Sequence, residues 1–191
     1  MFQNDLQQFI STAELKHNGF SNYQINQMVS RGILLKVNNR YYQNLNYKGE
    51  INDFYAVHAV NEHGIVCLVS AAIYHGLSTE RQRVIEVALP RGFRKPGQPE
   101  WPLMQFYFFS PERYQLGIQY VQEGKNSFQI YDKEKTVCDM VFYRNKLGKE
   151  PAMETVKEYM NCQDRDINKL MYYADILHVK TTLMQYIEVL L

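Results

Sequence analysis

The sequence predicts an α+β protein in two parts, a small helical head with a hairpin followed by a mixed body that ends in helices. Three observations carry this. Apolar residues recur at helical spacing in short capped segments before residue 32, strand-like apolar and aromatic runs occupy the middle, and the last sixty residues return to helical period. Composition agrees, with 46% hydrophobic and 21% charged residues, as in a chain that buries a real core.

Residues 2–10 place Phe2, Leu6, Phe9 and Ile10 at helical spacing and predict an amphipathic helix. Ser11 then stands three residues before Glu14, the capping-box pattern, and opens a short helix that stops near Asn18-Gly19. Ser21 caps a third helix whose apolar positions Tyr23, Ile25, Met28 and Val29 repeat until Arg31-Gly32. Residues 33–37, the polar pair Asn38-Asn39 and residues 40–43 read as strand, turn and strand. Two helices joined by a glycine turn and followed by a hairpin have the order of a winged helix-turn-helix, expected over residues 1–48.

Beyond it, residues 49–191 are expected to form an α+β regulatory domain. Residues 53–62 predict a helix and 65–69, wholly apolar, a strand; Ser70 is expected to cap a helix over 71–75. Strands are predicted at 84–89, 104–109, 118–121 and 127–130, with a helical turn from Ser110 toward Gly117. Helices follow at 133–143, 152–160, 167–178 and 180–191.

Charge is distributed unevenly. Net charge is +1 overall, but residues 1–48 hold five basic and two acidic side chains, so the head is basic on a nearly neutral body. With its apolar face buried, the third helix would present Ser21, Asn22, Gln24, Asn26, Gln27, Ser30 and Arg31, a surface without a carboxylate. Asn and Gln match adenine edges, and Arg matches guanine or phosphate. Lys36 and Arg40 on the hairpin and Lys16 before the turn are placed for flanking phosphates. The site expected from these residues is a double-stranded DNA interface, with Arg91, Arg94 and Lys95 of a Gly/Pro-rich loop as a second nucleic-acid or partner contact.

Other chemistry is weighed and set aside. Asp132, Glu134, Lys135 and Asp139 have the composition of a metal-dependent nuclease cluster, but on one helix Glu134 and Asp139 face different ways; acids at a helix start suit the dipole. His58, His63, His75 and His178 lack ligand spacing, so no metal and no cofactor is expected, and His75 reads as a cation at a helix end. Cys67, Cys138 and Cys162 are expected as buried reduced thiols, and Tyr107, Phe108, Phe109, Tyr172 and Tyr173 as core. No apolar run of about 18 residues and no signal-peptide pattern occurs, so a cytoplasmic protein without membrane contact is expected.

The order of signals also resembles a known family. It is carried by residues 9–13, Arg31-Gly32, Arg40-Tyr41-Tyr42, Val69-Ser70-Ala71-Ala72, His75-Gly76-Leu77, residues 87–92 (VALPRG), residues 131–139 (YDKEKTVCD), Met171-Tyr172-Tyr173-Ala174 and the last six residues. These resemble the AbiEi-type antitoxins, transcriptional regulators of type IV abortive-infection toxin-antitoxin pairs, over nearly the whole chain. The resemblance implies a non-enzymatic autorepressor that binds inverted repeats in its own promoter and counteracts a nucleotidyltransferase-like toxin encoded nearby. One head reads few base pairs, so at least two copies per operator are expected, as a homodimer or assembled on DNA. The alternatives are an enzyme-like body targeted by the head, and a solitary regulator without a toxin.

Overall fold

The computed structural model describes residues 7–97 and 99–190. Its architecture is mixed α+β with a C-terminal helix. The first sheet has the order β1-β3-β2, all antiparallel, from β1 (Phe9–Ser11), β2 (Leu34–Lys36) and β3 (Tyr41–Asn44). Between β1 and β2 lie α1 (Thr12–His17) and α2 (Asn22–Ser30).

Capping explains where these two helices begin. Ser11 Oγ accepts the Glu14 N–H at 3.0 Å. At α2 the exchange is reciprocal: Gln24 N–H donates to Ser21 Oγ at 3.3 Å, and Ser21 N–H donates to Gln24 Oε1 at 2.8 Å. The complete capping box is thus at Ser21. Gly19 and Gly32 follow the helix ends with φ of +87° and +67°, left-handed conformations that suit glycine.

The expected helix over 2–10 is corrected. Residues 1–6 lie outside the described residues, and Phe9 and Ile10 are in β1, paired with Gln43 and Tyr42 of β3. Helical spacing over a few apolar residues does not distinguish a helix from a strand whose two faces are both covered. That is the case here. Ile10 enters the head's own core with Leu15, Ile25, Met28, Leu34 and Tyr42, while Phe9 points the other way into the body.

The body holds a five-stranded mixed sheet, order β6-β5-β4-β8-β7, from β4 (Ile65–Val66), β5 (Ile85–Pro90), β6 (Met104–Phe109), β7 (Ile118–Glu123) and β8 (Asn126–Tyr131). The pairs β5·β6 and β4·β8 are parallel; β4·β5 and β7·β8 are antiparallel. Alternation along the strands sorts the side chains. Ile85, Val87, Phe106, Phe128 and Ile130 meet α3 (Tyr55–Val60) together with Phe9, Val37 and Tyr41 of the head. Ile65, Ala88, Tyr107, Phe109 and Tyr131 meet Met140 and Ala152 from α6 (Lys133–Phe142) and α8 (Lys149–Asn161) on the other face.

Three short helices fill the connections: α4 (Leu68–Tyr74), α5 (Pro111–Gln115) and α7 (Arg144–Leu147). A helical layer of α6, α8, α9 (Ile167–Ile176) and α10 (Lys180–Leu190) closes over its own core, including Val137, Val156, Tyr159, Leu170 and Leu183. The expected strand 65–69 ends early, because the chain enters α4 at Leu68 with Cys67 as N-cap. Ser70 is therefore inside α4 and does not cap it. Its N–H donates to Glu86 Oε2 at 3.0 Å and its hydroxyl donates to the same carboxylate, so a β5 acid supplies the cap. Burial pushes the Glu86 carboxyl above its ordinary value, and the bonds from Ser70 oppose that.

Head and body are bound by polar contacts as well. Gln8, 2% exposed, receives the Asn52 N–H on its Oε1 at 3.0 Å and sends its own N–H to Asn126 Oδ1 at 2.7 Å. Replacing Phe9 by alanine empties the apolar seam beside this latch. The expected loss is about 3–5 kcal/mol of unfolding free energy, read as a lowered denaturant midpoint; a loss under about 1 kcal/mol overturns the assignment of Phe9 to the shared core.

Candidate nucleic-acid interface

The outer side of α2 follows from its burial pattern. Ile25 and Met28 face inward and are 1% and 7% exposed. Ser21, Asn22, Gln24, Asn26, Ser30 and Arg31 are exposed and Gln27 is half-buried; none of them is an acid. Tyr23 departs from its expected place in the apolar stripe. It is 72% exposed, and its hydroxyl accepts a hydrogen from Gln27 Nε2 at 3.0 Å. On a nine-residue helix two inward positions plus half-buried Val29 already cover the small core, so Tyr23 is left on the outer side.

The polar groups of this surface differ in availability. Gln24 Oε1 is committed to the cap and Gln27 Nε2 to Tyr23, whereas Ser30 Oγ donates to the Asn26 carbonyl at 2.9 Å. Asn22, Asn26 and Arg31 are exposed on the same helix. The hairpin turn is shaped by Asn38, whose Oδ1 accepts from Arg40 N–H at 2.8 Å and Tyr41 N–H at 2.9 Å, and whose Nδ2 donates to the Ala59 carbonyl at 2.8 Å. This holds Lys36 and Arg40 outward, both exposed. Arg40 faces Glu62 at 3.4 Å, a body residue outside the sequence-based set. Arg91, Arg94 and Lys95 are exposed in the segment between β5 and β6.

The acids around α6 neither splay onto solvent nor converge on an open cleft. Asp132 is the N-cap of α6 and receives Lys135 N–H at 2.8 Å. Lys169 of α9 bridges Asp132 and Glu134 at 3.0 Å each, and the Tyr159 hydroxyl donates to Glu134 at 2.9 Å. Partial burial disfavours the Lys169 charge, but the bonds to Glu134 and Asp132 outweigh it and hold the ammonium above the ordinary lysine value. Asp139 turns away, as its spacing requires, and takes both Lys135 Nζ and the Arg113 guanidinium. Lys135 and Asp139 have no exposed surface. Burial pulls the Lys135 ammonium down and Asp139 pushes it back up, while the Tyr131 ring lies 4.0 Å from Nζ. Arg113 also stacks on Phe142 at 3.8 Å. Lys169 lies 37 and 35 residues from Asp132 and Glu134, and Arg113 lies 26 residues from Asp139, beyond the reach of any local spacing argument.

Three further expectations are corrected. His75 caps the C-terminus of α4, but burial lowers its pKa more than the Tyr131 carbonyl bond, 2.7 Å from Nε2, raises it, so the neutral ring is favoured. Cys162 is only half-buried, unlike Cys67 and Cys138. Phe108 and Tyr172 are exposed at 37% and 62%, because alternation on β6 and the outer side of α9 turn them away from the core that holds Tyr107 and Phe109.

Two outcomes test these assignments. Asp139→Asn strands two buried cations and is expected to cost about 3–5 kcal/mol, while Lys135→Met is expected to cost much less; equal losses in chemical denaturation would refute the pairing. The His75 imidazole takes its proton at lower pH in the folded chain than in the unfolded chain. Its contribution to stability is therefore present above the ordinary value of 6.5 and lost as pH falls from there through the folded-state pKa. His75→Gln should show a smaller loss of stability between neutral and mildly acidic pH than the parent, measured by thermal melting.

Comparison with known proteins returned no match, neither to a family model nor to a curated protein.

Proposed function

We propose that the chain is a DNA-binding transcriptional regulator of the AbiEi-antitoxin type, whose head acts as a winged helix-turn-helix. The observation that carries the reading is the outer side of α2: exposed Asn22, Asn26 and Arg31 without a carboxylate, beside a hairpin that exposes Lys36 and Arg40. In this reading α2 enters the major groove, where Asn26 and Asn22 address base edges and Arg31 a guanine or a phosphate. Lys36 and Arg40 hold the backbone beside it, fixing register without reading sequence. Gln24 contributes through its cap more than through a base contact, since its carbonyl oxygen is already occupied.

The body, on the resemblance given above, serves the antitoxin role against a nucleotidyltransferase-like toxin and carries no catalytic step. The buried pairing of Asp132, Glu134 and Asp139 supports a structural use of these acids, because each has a cation within hydrogen-bond distance. Autorepression through inverted repeats, with two copies on each operator, completes the reading.

A gel shift with the DNA upstream of the chain's own gene tests it. Wild-type protein is expected to retard this fragment in preference to unrelated DNA, Arg31→Ala and Asn26→Ala to lose about 1–3 kcal/mol of binding free energy, and Lys36→Ala to weaken all sequences alike. Absence of retardation, or full affinity in all three variants, would remove the DNA-binding reading. Footprinting is expected to show two protected half-sites; a single half-site saturated by one chain contradicts the two-copy operator.

A further inference from the structure

A cleft of about 520 Å³ lies where the head's hairpin meets the body. It is lined by Asn39 and Arg40 of the hairpin turn, by Glu62 and His63 just after α3, and by Pro96 and Gly97 of the segment between β5 and β6. That segment carries three exposed cations, Arg91, Arg94 and Lys95, within five residues. Phe93, in their midst, sets its ring edge-on to His63 at 5.0 Å, and the His63 carbonyl accepts the Tyr114 hydroxyl at 2.7 Å. The basic segment is thereby held against the end of α3, across the cleft from Arg40.

Among the described residues Glu62 is the one acid that lines the cleft, and its carboxylate stands 3.4 Å from the Arg40 guanidinium. Both side chains are open to solvent, 78% for Arg40 and 49% for Glu62, and a pair so exposed is weak. A phosphodiester is a stronger partner for the same guanidinium, since its two free oxygens match the fork of donors. We propose that this cleft is a second seat for the DNA backbone, in which a phosphate replaces Glu62 at Arg40 while Arg94 and Lys95 meet neighbouring phosphates from the body's side. The proposal rests on the DNA-binding reading of the head and adds to it a body contact and an internal competitor. Glu62 holds the place of a phosphate in the free protein and lowers affinity for every duplex alike.

DNA is favoured over an acidic protein as occupant because Arg40 sits on the same hairpin as Lys36, next to the carboxylate-free side of α2, so one curved polyanion can meet all of them. The stretch from Arg91 to Gly97 holds no acid, the segment's Glu100 lying beyond it, and Gly92 takes a left-handed turn with nothing within 4 Å of where a Cβ would stand.

Fluorescence anisotropy on the full chain tests this, with the upstream duplex and a random duplex of equal length titrated at several salt concentrations. The double variant Arg94→Ala/Lys95→Ala is expected to weaken both duplexes by the same factor, about 5–20-fold, and to reduce the slope of log affinity against log salt by about 2. Glu62→Gln is expected to tighten both duplexes by about 2–5-fold. Circular dichroism melting should leave all variants unchanged, since each position is exposed. If wild type binds and Asn26→Ala weakens it while the double variant keeps its affinity and salt slope, the body contact is overturned and the head's role stands. If the loss falls on the upstream duplex alone, the segment reads sequence and the backbone seat is overturned. Failure of wild type to bind either duplex overturns both readings together.

Discussion

One carboxylate with no access to water, Asp139, is shared by two cations that have almost none, Lys135 and Arg113. The arrangement of the body depends on this. Lys135 lies on the same helix as Asp139, one turn earlier, and Arg113 comes from α5 after the edge strand β6, so the ion pair pins α6 across the sheet. Arg113 extends the tie to the carbonyl of Leu177 at the end of α9. A hydrophobic trio of equal volume could hold the same space at no greater cost in stability. What the charges impose is register: α6 cannot slide or rotate against α5 without leaving a charge unpaired in a dry interior. Around α6 the remaining helices are then packed, with Lys169 repeating the device near its first turn.

The seam between head and body rests on a simpler constraint, the two-residue period of a strand. Consecutive residues Phe9 and Ile10 belong to different cores, and on the paired strand Tyr41 and Tyr42 divide in the same way. A three-stranded sheet three or four residues long thereby serves two hydrophobic interiors at once. The basic character of the head survives this because the shared residues are apolar, leaving its cations on the outside.

Much of this was legible in the sequence, and the failures have physical causes. Helices α1 and α2, the hairpin of β2 and β3, β6 and the C-terminal helices are announced by capping residues, glycines and unambiguous periods. The exposed set on α2 followed from the burial of Ile25 and Met28, since a helix with one apolar side leaves the other to solvent. Where both faces of a strand are covered the two-residue period vanishes, and the spacing of Phe9 and Ile10 in β1 fits a helix as well as a strand. Leu68 and Val69 continue the apolar run of β4 yet begin α4, because apolar composition alone does not separate a buried strand from a buried helix start. Lys135 is one helical turn from Asp139, but Arg113 at Asp139, Lys169 at Asp132 and Glu134, and Glu62 at Arg40 come from segments brought together only by the tertiary fold, so no local pattern could name them.

The Gln8 latch has a further meaning. With its amide hydrogen on Asn126 and its side-chain oxygen on Asn52, the backbone entering β1 is stitched to two distant stretches of the body. The head is consequently not a bead on a string; its orientation is a property of the folded body. Were two such chains joined through their bodies, heads held in this way would turn the distance and helical phase between any two sites they contact into a requirement.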